Sequence, residues 1–250
     1  MKAFPQPLLE KIFADIERLA EQFPNERVAA FDADGTLWSI DIGEQFFKYQ
    51  IASGQLKDLP PDPWKHYNNM KVTVSPQAAF IWLAQINQGQ PIELVRKWSA
   101  ASLKLNGPVP IFDFQKQIIE KLKSLNFKIY IVTASIAWAV EPAAALFGLP
   151  QDSVIGVKTK IDKGYVTLEQ DGIITYRQGK VDALLDATGG VAPLFVSGNT
   201  EGDLLLLEAS RGIRLVVASA SAQDSNFATE QRMQELARKN NWYSYQAKID

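Results

Sequence analysis

The sequence contains no cysteine and a single histidine, His66. The first absence excludes a disulfide framework, a thiolate zinc site and a cysteine nucleophile. The second leaves too little imidazole for a histidine-based zinc site or a Ser-His-Asp triad. An excess of one charge is lacking too: Lys plus Arg number 26, Asp plus Glu 28, and the net charge is -2. That balance gives no electrostatic footprint for nucleic acid or for an anionic membrane surface. No segment reads as a signal peptide or a membrane span. The uncharged run from Val72 to Ile92 is interrupted by Pro76, Asn87, Gly89 and several glutamines, a poor composition for hydrocarbon. The chemistry must therefore rest on carboxylates, hydroxyls and lysine, and the expected location is the cytoplasm.

What is present is 250 residues with 46 % hydrophobic content, enough to bury a sizeable core in one domain carrying an insertion. Leu8, Leu9, Ile12, Phe13, Ile16, Leu19 and Phe23 recur at helical spacing and predict an amphipathic first helix. Four short apolar runs, Arg27–Asp32, Lys128–Thr133, Pro193–Ser197 and Arg214–Ala218, lack alternation and read as strands buried on both faces. Helical stripes separate them, one through Phe114, Ile118, Ile119, Leu122 and Leu125, another through Val181, Leu184 and Leu185. This alternation predicts an α/β fold with a doubly wound parallel sheet, whose ligands bind at the carboxyl ends of the strands. Residues 41–110 break the pattern with aromatic-rich helical pieces between proline clusters. The expected organisation is a core of residues 1–40 and 111–250 and a helical insertion over 41–110. Tyr165 to Arg177 suggests a β-hairpin turning at Asp171-Gly172.

The segment Phe31-Asp32-Ala33-Asp34-Gly35-Thr36 follows the first buried run. Two carboxylates at this spacing could hold a hard cation between a side chain and a backbone carbonyl. Asp32 could then attack phosphorus while Asp34 protonates the leaving oxygen. The competing reading is a simple Asp-Gly turn. Further along, Ile131-Val132-Thr133-Ala134-Ser135 ends a strand in hydroxyls. Thr133 there either meets an anion or caps the next helix. Gln178-Gly179-Lys180 places a lysine at a helix start, unfavourable to the helix dipole unless an anion answers it. Lys158, Lys160 and Lys163 lack that context. Val196-Ser197-Gly198-Asn199-Thr200-Glu201-Gly202-Asp203 follows the third buried run.

Together and in this order, these four segments resemble the motifs of the haloacid dehalogenase (HAD) superfamily of phosphohydrolases. The resemblance implies a Rossmann-like core with a helical C1 cap, and an aspartyl-phosphate mechanism in which Asp32 is the nucleophile and Asp34 the acid and base. Thr133 and Lys180 would hold phosphoryl oxygens, and Ser135 offers a second hydroxyl. Mg2+ would be held by Asp32, Asp34 and either Asn199 or Asp203. The family usually carries an acidic residue where this chain has Asn199, so one formal negative ligand is missing and Asp203 is left to orient Lys180 or to serve as a ligand itself. The presence of Asp34 favours phosphoryl transfer over dehalogenation, which needs no protonation of its leaving group.

In the similar phosphoserine phosphatases an acidic residue nine positions past the nucleophile contacts the substrate amine, and Asp41 stands there. Asp41 and Glu44 also make an Asp-x-x-Glu capping box. Arg96 could receive a substrate carboxylate or lie on a helix surface. Trp38, Trp64, Tyr67, Trp82 and Trp98 either cage a quaternary ammonium, as in phosphocholine, or pack a core. The expected activity is Mg2+-dependent hydrolysis of a small-molecule phosphoester, such as an amino-alcohol phosphate, by a monomer or homodimer with no nucleic-acid or membrane partner. A phosphotransferase or phosphomutase on the same fold, and a degenerate phosphoester-binding protein, are the alternatives.

Overall fold

The computed structural model describes residues 3–105 and 107–247. In chain order its elements are α1 (Gln6–Gln22), β1 (Val28–Phe31), α2 (Ile42–Ser53), α3 (Pro63–Thr73), α4 (Pro76–Gln85), α5 (Ile92–Ser102), α6 (Asp113–Ser124), β2 (Lys128–Ile136), α7 (Ala137–Ala144), β3 (Val154–Val157), β4 (Thr159–Asp162), β5 (Tyr165–Gln170), α8 (Gln178–Thr188), β6 (Phe195–Gly198), α9 (Leu204–Glu208), β7 (Ile213–Ala218), α10 (Phe227–Lys239) and β8 (Tyr243–Gln246). A six-stranded sheet runs in the order β3-β2-β1-β6-β7-β8. β1 is parallel to β2 and β6, β6 to β7, and β7 to β8. The α/β class and the parallel sheet are those expected, and β3 and β8 are strands that hydrophobic runs alone did not reveal.

The chain divides into two compact units, residues 1–40, 110–132 and 177–250, and residues 41–109 and 133–176. In the first, β1 and β6 are buried along their whole length, as residues facing helices on both sides must be. α1 buries Leu9, Ile12, Ile16 and Leu19 on one stripe, and α6 buries Phe114, Ile118, Ile119 and Leu122. Segments 37–39 and 110–112 are zipped together: Phe112 N–H donates to Leu37 C=O at 2.9 Å and Ser39 N–H to Pro110 C=O at 3.1 Å. These bonds close the first of the chain's two departures from this unit; the second runs over residues 133–176.

The second unit holds α2 to α5, where the sequence reading places an insertion over 41–110, and it also takes in residues 133–176, which that reading puts in the core. Hydrogen bonding accounts for the difference. Val166 N–H donates to Gln90 C=O and Gly89 N–H to Val166 C=O, both at 2.9 Å, so β5 is stitched to the chain before α5. Ser99 Oγ donates to Ala139 C=O at 3.1 Å, joining α5 to α7. The hairpin of β4 and β5 is antiparallel, but it turns at Lys163-Gly164, with φ of 49° and 87°, and not at Asp171-Gly172. Two successive residues of positive φ match the right-handed strand twist that a two-residue hairpin demands. Lys158 pairs with Asp171 at 3.1 Å and Lys160 with Glu169 in this same hairpin region.

Buried Gln115 on α6 braces the first unit where its strands end. Its Nε2 donates to Ser197 Oγ at 2.8 Å and to Thr36 C=O at 3.1 Å. Gln115→Leu keeps the volume but leaves that carbonyl and hydroxyl without their donor. The expected loss is about 2 kcal/mol of unfolding free energy. Urea denaturation checks it, and a change within about 0.5 kcal/mol, typical of an inconsequential substitution, would remove the brace from the account.

Candidate active site

β1 ends at Phe31, and Asp32 is the first residue beyond it, its backbone N–H donating to Ser197 C=O of β6 at 2.9 Å. The chain then turns: Thr36 and Leu37 N–H groups both donate to Ala33 C=O, and Gly35 adopts φ +79°. Glycine is required twice over here. The positive φ disfavours any side chain, and a Cβ on Gly35 would lie 2.1 Å from Asn199 Nδ2. Within this turn, Thr36 Oγ1 donates to Asp32 Oδ2 at 3.0 Å, and Trp38 Nε1 donates to Asp34 Oδ1 at 2.8 Å. Trp38 is fully buried, so the donor that meets Asp34 is packed within the core.

Lys180 sits in the first turn of α8, and its ammonium lies 2.6 Å from Asp32 Oδ1 and 2.6 Å from Asp203 Oδ1. Lysine and both aspartates are buried. Burial alone would lower the lysine, but the two carboxylates outweigh it and hold its ammonium above the ordinary range. Asp32 is pushed up to about 7, chiefly by burial and then by the Asp203 charge, against the opposing pull of Lys180. Asp203 has little capacity left: its Oδ2 accepts from Asn199 N–H at 3.1 Å and Thr200 N–H at 3.0 Å, while Oδ1 faces Lys180. Of the two places the sequence left open for it, the geometry is that of the residue orienting Lys180.

Asn199 follows β6 and is buried beside Gly35. Its Nδ2 donates to Glu230 Oε1 of α10 at 2.9 Å. Burial raises Glu230, and hydrogen bonds from Ala220 N–H, Asn199 and Ser219 N–H oppose the rise. Glu230 and the aiming role of Trp38 are what sequence reasoning missed. Glu230 lies outside every motif, and the bulk of Trp38 sets it beside the aromatics of residues 41–110 in the sequence.

Asp32 and Asp203 set two buried carboxyl groups against one ammonium, and the Asp34 charge also bears on Asp32, a deficit of positive charge that a divalent cation would fill. Asp32, the Asp34 main-chain carbonyl and the Asn199 amide oxygen are hard oxygen donors suited to Mg2+. Among the described residues no three His, Asp or Glu side chains gather into a preformed cage.

The second unit carries the other candidates. Thr133 Oγ1 accepts from Ser135 N–H at 3.1 Å, and the Thr133 carbonyl accepts from Thr175 Oγ1. α7 begins at Ala137 with Ile136 at its N-cap, so Thr133 lies too far upstream to cap it. Asp41 is the N-cap of α2, accepting from Glu44 N–H at 2.7 Å, and a Cβ on Gly43 would lie 2.4 Å from Ser135 Oγ, so Asp41 and Ser135 adjoin the same helix start. Glu44 faces Lys71 at 3.6 Å. Arg96 is engaged by Glu141 and Glu93, each at 2.9 Å, which leaves its fork directed to the protein itself. Phe47 packs against Trp64, Tyr67 and Trp82, while Lys48 and Lys71 cover the Trp64 and Tyr67 rings at 4.3 and 4.2 Å. These aromatics form a core whose faces are taken, not an open cage.

The Asp32 environment gives a signed pH dependence. The carboxyl ionises near 3.8 when unfolded and near 7 when folded, so its contribution to stability is complete below the first value and lost as pH rises through the second. Asp32→Asn removes that titration. In chelator, the variant is expected to gain stability relative to the parent as pH rises from about 4 to about 7, the interval between the two ionisations, and to hold a constant advantage above it. Urea denaturation across that interval is the measurement, and a difference constant within it would contradict it.

The haloacid dehalogenase-like hydrolase family model matches residues 29–208. No curated protein matches the sequence. Among solved structures, one from Anaerococcus prevotii described as a conserved functionally unknown protein is 15 % identical with a TM-score of 0.68, covering 95 % of this chain and 90 % of its own. A protein of unknown function from Bordetella pertussis Tohama I is 20 % identical with a TM-score of 0.66, covering 88 % and 97 %. A phosphoserine phosphohydrolase-like protein from Francisella tularensis is 18 % identical with a TM-score of 0.54, covering 88 % and 94 %. The family match takes in Asp32, Asp34, Lys180, Asn199 and Asp203, and the chain belongs to the haloacid dehalogenase-like hydrolases.

Proposed function

We propose that this hydrolase is a phosphomonoesterase acting on a small phosphorylated metabolite, with Asp32 as its nucleophile. The observation that carries the reading is the buried Asp32 carboxylate just past a parallel strand, fixed by Lys180 through one oxygen and by Thr36 through the other. A carboxylate held at both oxygens attacks along a defined direction, which is where orientation lowers a barrier. The description of the Francisella structure as phosphoserine phosphohydrolase-like supports the same chemistry.

In the first step an Asp32 oxygen bonds to phosphorus as the ester P–O bond breaks, and the departing alkoxide takes a proton from Asp34. In the second, water attacks the same phosphorus and gives a proton to Asp34 while the bond to Asp32 breaks, releasing inorganic phosphate. Trp38 keeps Asp34 aimed through both transfers. Lys180 offsets negative charge as it moves onto the phosphoryl oxygens. Asp203 holds that ammonium in place, and Thr133 is assigned a phosphoryl-oxygen contact on the family resemblance. Asp32, the Asp34 carbonyl and Asn199 would hold Mg2+, whose charge lowers the repulsion between carboxylate and phosphate when it is bound. Among phosphoesters, an amino-alcohol phosphate such as phosphoserine comes first, because Asp41 offers an acidic group beside Ser135. Phosphocholine loses support from the covered aromatic faces.

Phosphate release from a metabolite panel containing phosphoserine tests the assignment. Turnover is expected with Mg2+, abolished by chelator and by Asp32→Asn, and lowered about 10²- to 10⁴-fold by Asp34→Asn, the range of a general acid or base. Trp38→Phe preserves the ring packing but removes the indole donor, and is expected to lower kcat more than it raises KM. Hydrolysis that survives Asp32→Asn would end the proposal.

A further inference from the structure

Asn199 supplies no charge where the family usually carries an acidic residue, yet a carboxylate stands directly behind it. Glu230, 1 % exposed, accepts from Asn199 Nδ2 at 2.9 Å through Oε1. Its Oε2 accepts from Ser219 N–H at 2.8 Å and Ala220 N–H at 2.7 Å. Three N–H donors converge on one side chain, an arrangement in which both carboxyl oxygens act as acceptors. An acceptor-only partner also decides which way the amide points: Nδ2 is committed to Glu230, and Oδ1 occupies the other end of the same group. The turn carrying Asp32 and Asp34 packs on this pair, since a Cβ on Gly35 would lie 2.1 Å from Asn199 Nδ2 and 3.4 Å from Glu230 Oε1.

We infer that Glu230 is a positioning residue that supplies, through one hydrogen bond, the negative charge Asn199 lacks, fixing and polarising the Asn199 amide oxygen as a ligand for a divalent cation. The inference rests on the metal-assisted reading above. It separates two arrangements of the same charge: carboxylate as direct ligand, or amide as direct ligand with the carboxylate behind it. Partners of this kind orient ligands and tune their donor strength. A purely structural alternative is that Glu230 only ties α10 to the chain after β7.

Calorimetric titration of MgCl2 into the chelator-stripped full chain, with thermal melts in the presence and absence of Mg2+, separates the two. The series is the parent, Glu230→Gln, Asn199→Asp and the exchange Asn199→Asp/Glu230→Gln. In Glu230→Gln the single amide oxygen serves Ser219 and Ala220, the new NH2 faces Asn199, and the Asn199 amide turns over. Mg2+ affinity is expected to fall at least about tenfold, the usual cost of losing such a partner. Asn199→Asp places two carboxylates at hydrogen-bond distance, so its metal-free melting temperature is expected to fall and Mg2+ to raise it by more than in the parent. The exchange keeps one carboxylate and one amide in the pair, and its Mg2+ affinity is expected within about threefold of the parent, as compensating partners require. Unchanged affinity in Glu230→Gln, or an exchange variant binding no better than that single variant, overturns the inference. If Glu230→Gln does not fold, the exchange variant against the parent decides, and a tenfold loss there overturns it equally. A parent that takes up no Mg2+ overturns the metal reading along with this one, whereas normal uptake by the parent and by Glu230→Gln overturns this one alone.

Discussion

Lys180 carries its charge to within 2.6 Å of both Asp32 and Asp203, and the first unit is built around keeping that ammonium dry and shared. The three residues come from the end of β1, the first turn of α8 and the start of α9, so the contact exists only when β1 and β6 lie side by side. Taking three charges out of water is expensive, and a buried pair stripped of one partner typically loses about 3–5 kcal/mol. The surrounding hydrogen bonds answer that cost. Asp203 is satisfied by two backbone N–H groups and Asp32 by the Thr36 hydroxyl. A buried group of net negative charge is a poor way to stabilise a fold. Its place past the carboxyl ends of parallel strands is where such sheets take ligands.

Legibility in the sequence followed the range of the interactions. The strands β1, β2, β6 and β7 showed as apolar runs because both of their faces are covered. Asp32, Asp34, Lys180, Asn199 and Asp203 showed because each lies within a few residues of such a run or a helix start, where spacing alone constrains chemistry. β8 stayed hidden because Tyr243-Ser-Tyr-Gln246 is short and half polar, as an edge strand is allowed to be. Asp171-Gly172 drew the hairpin turn by composition, while the register of β5 against residues 89–91 placed it at Lys163-Gly164. Glu230 lies 31 residues beyond its partner Asn199, on a helix whose glutamates otherwise look like surface charge, and nothing local marks it. Trp38 was hidden differently. Its bulk suggested packing, and only the fold shows that its indole N–H ends on Asp34.

The second unit shows why the boundaries of an insertion are hard to draw from sequence. Four helices of ten to twelve residues are each marginal alone, and their stability must come from tertiary packing. Part of that packing comes from residues 133–176: the Ser99–Ala139 bond, the Arg96–Glu141 pair and the backbone bonds from residues 89 and 90 to β5. Arg96 shows the consequence for function. A lone arginine in an aromatic-rich insertion invites assignment to a substrate carboxylate, but here its Nε and one terminal nitrogen each meet a carboxylate of the unit itself, Glu141 and Glu93. Its work is to fasten α5 to α7. Residues 41–109 therefore do not close on themselves. The chain must pass through β2 and return through the hairpin before these helices have a complete set of partners, and an apparent insertion becomes a unit only with residues that follow it by a hundred positions or less.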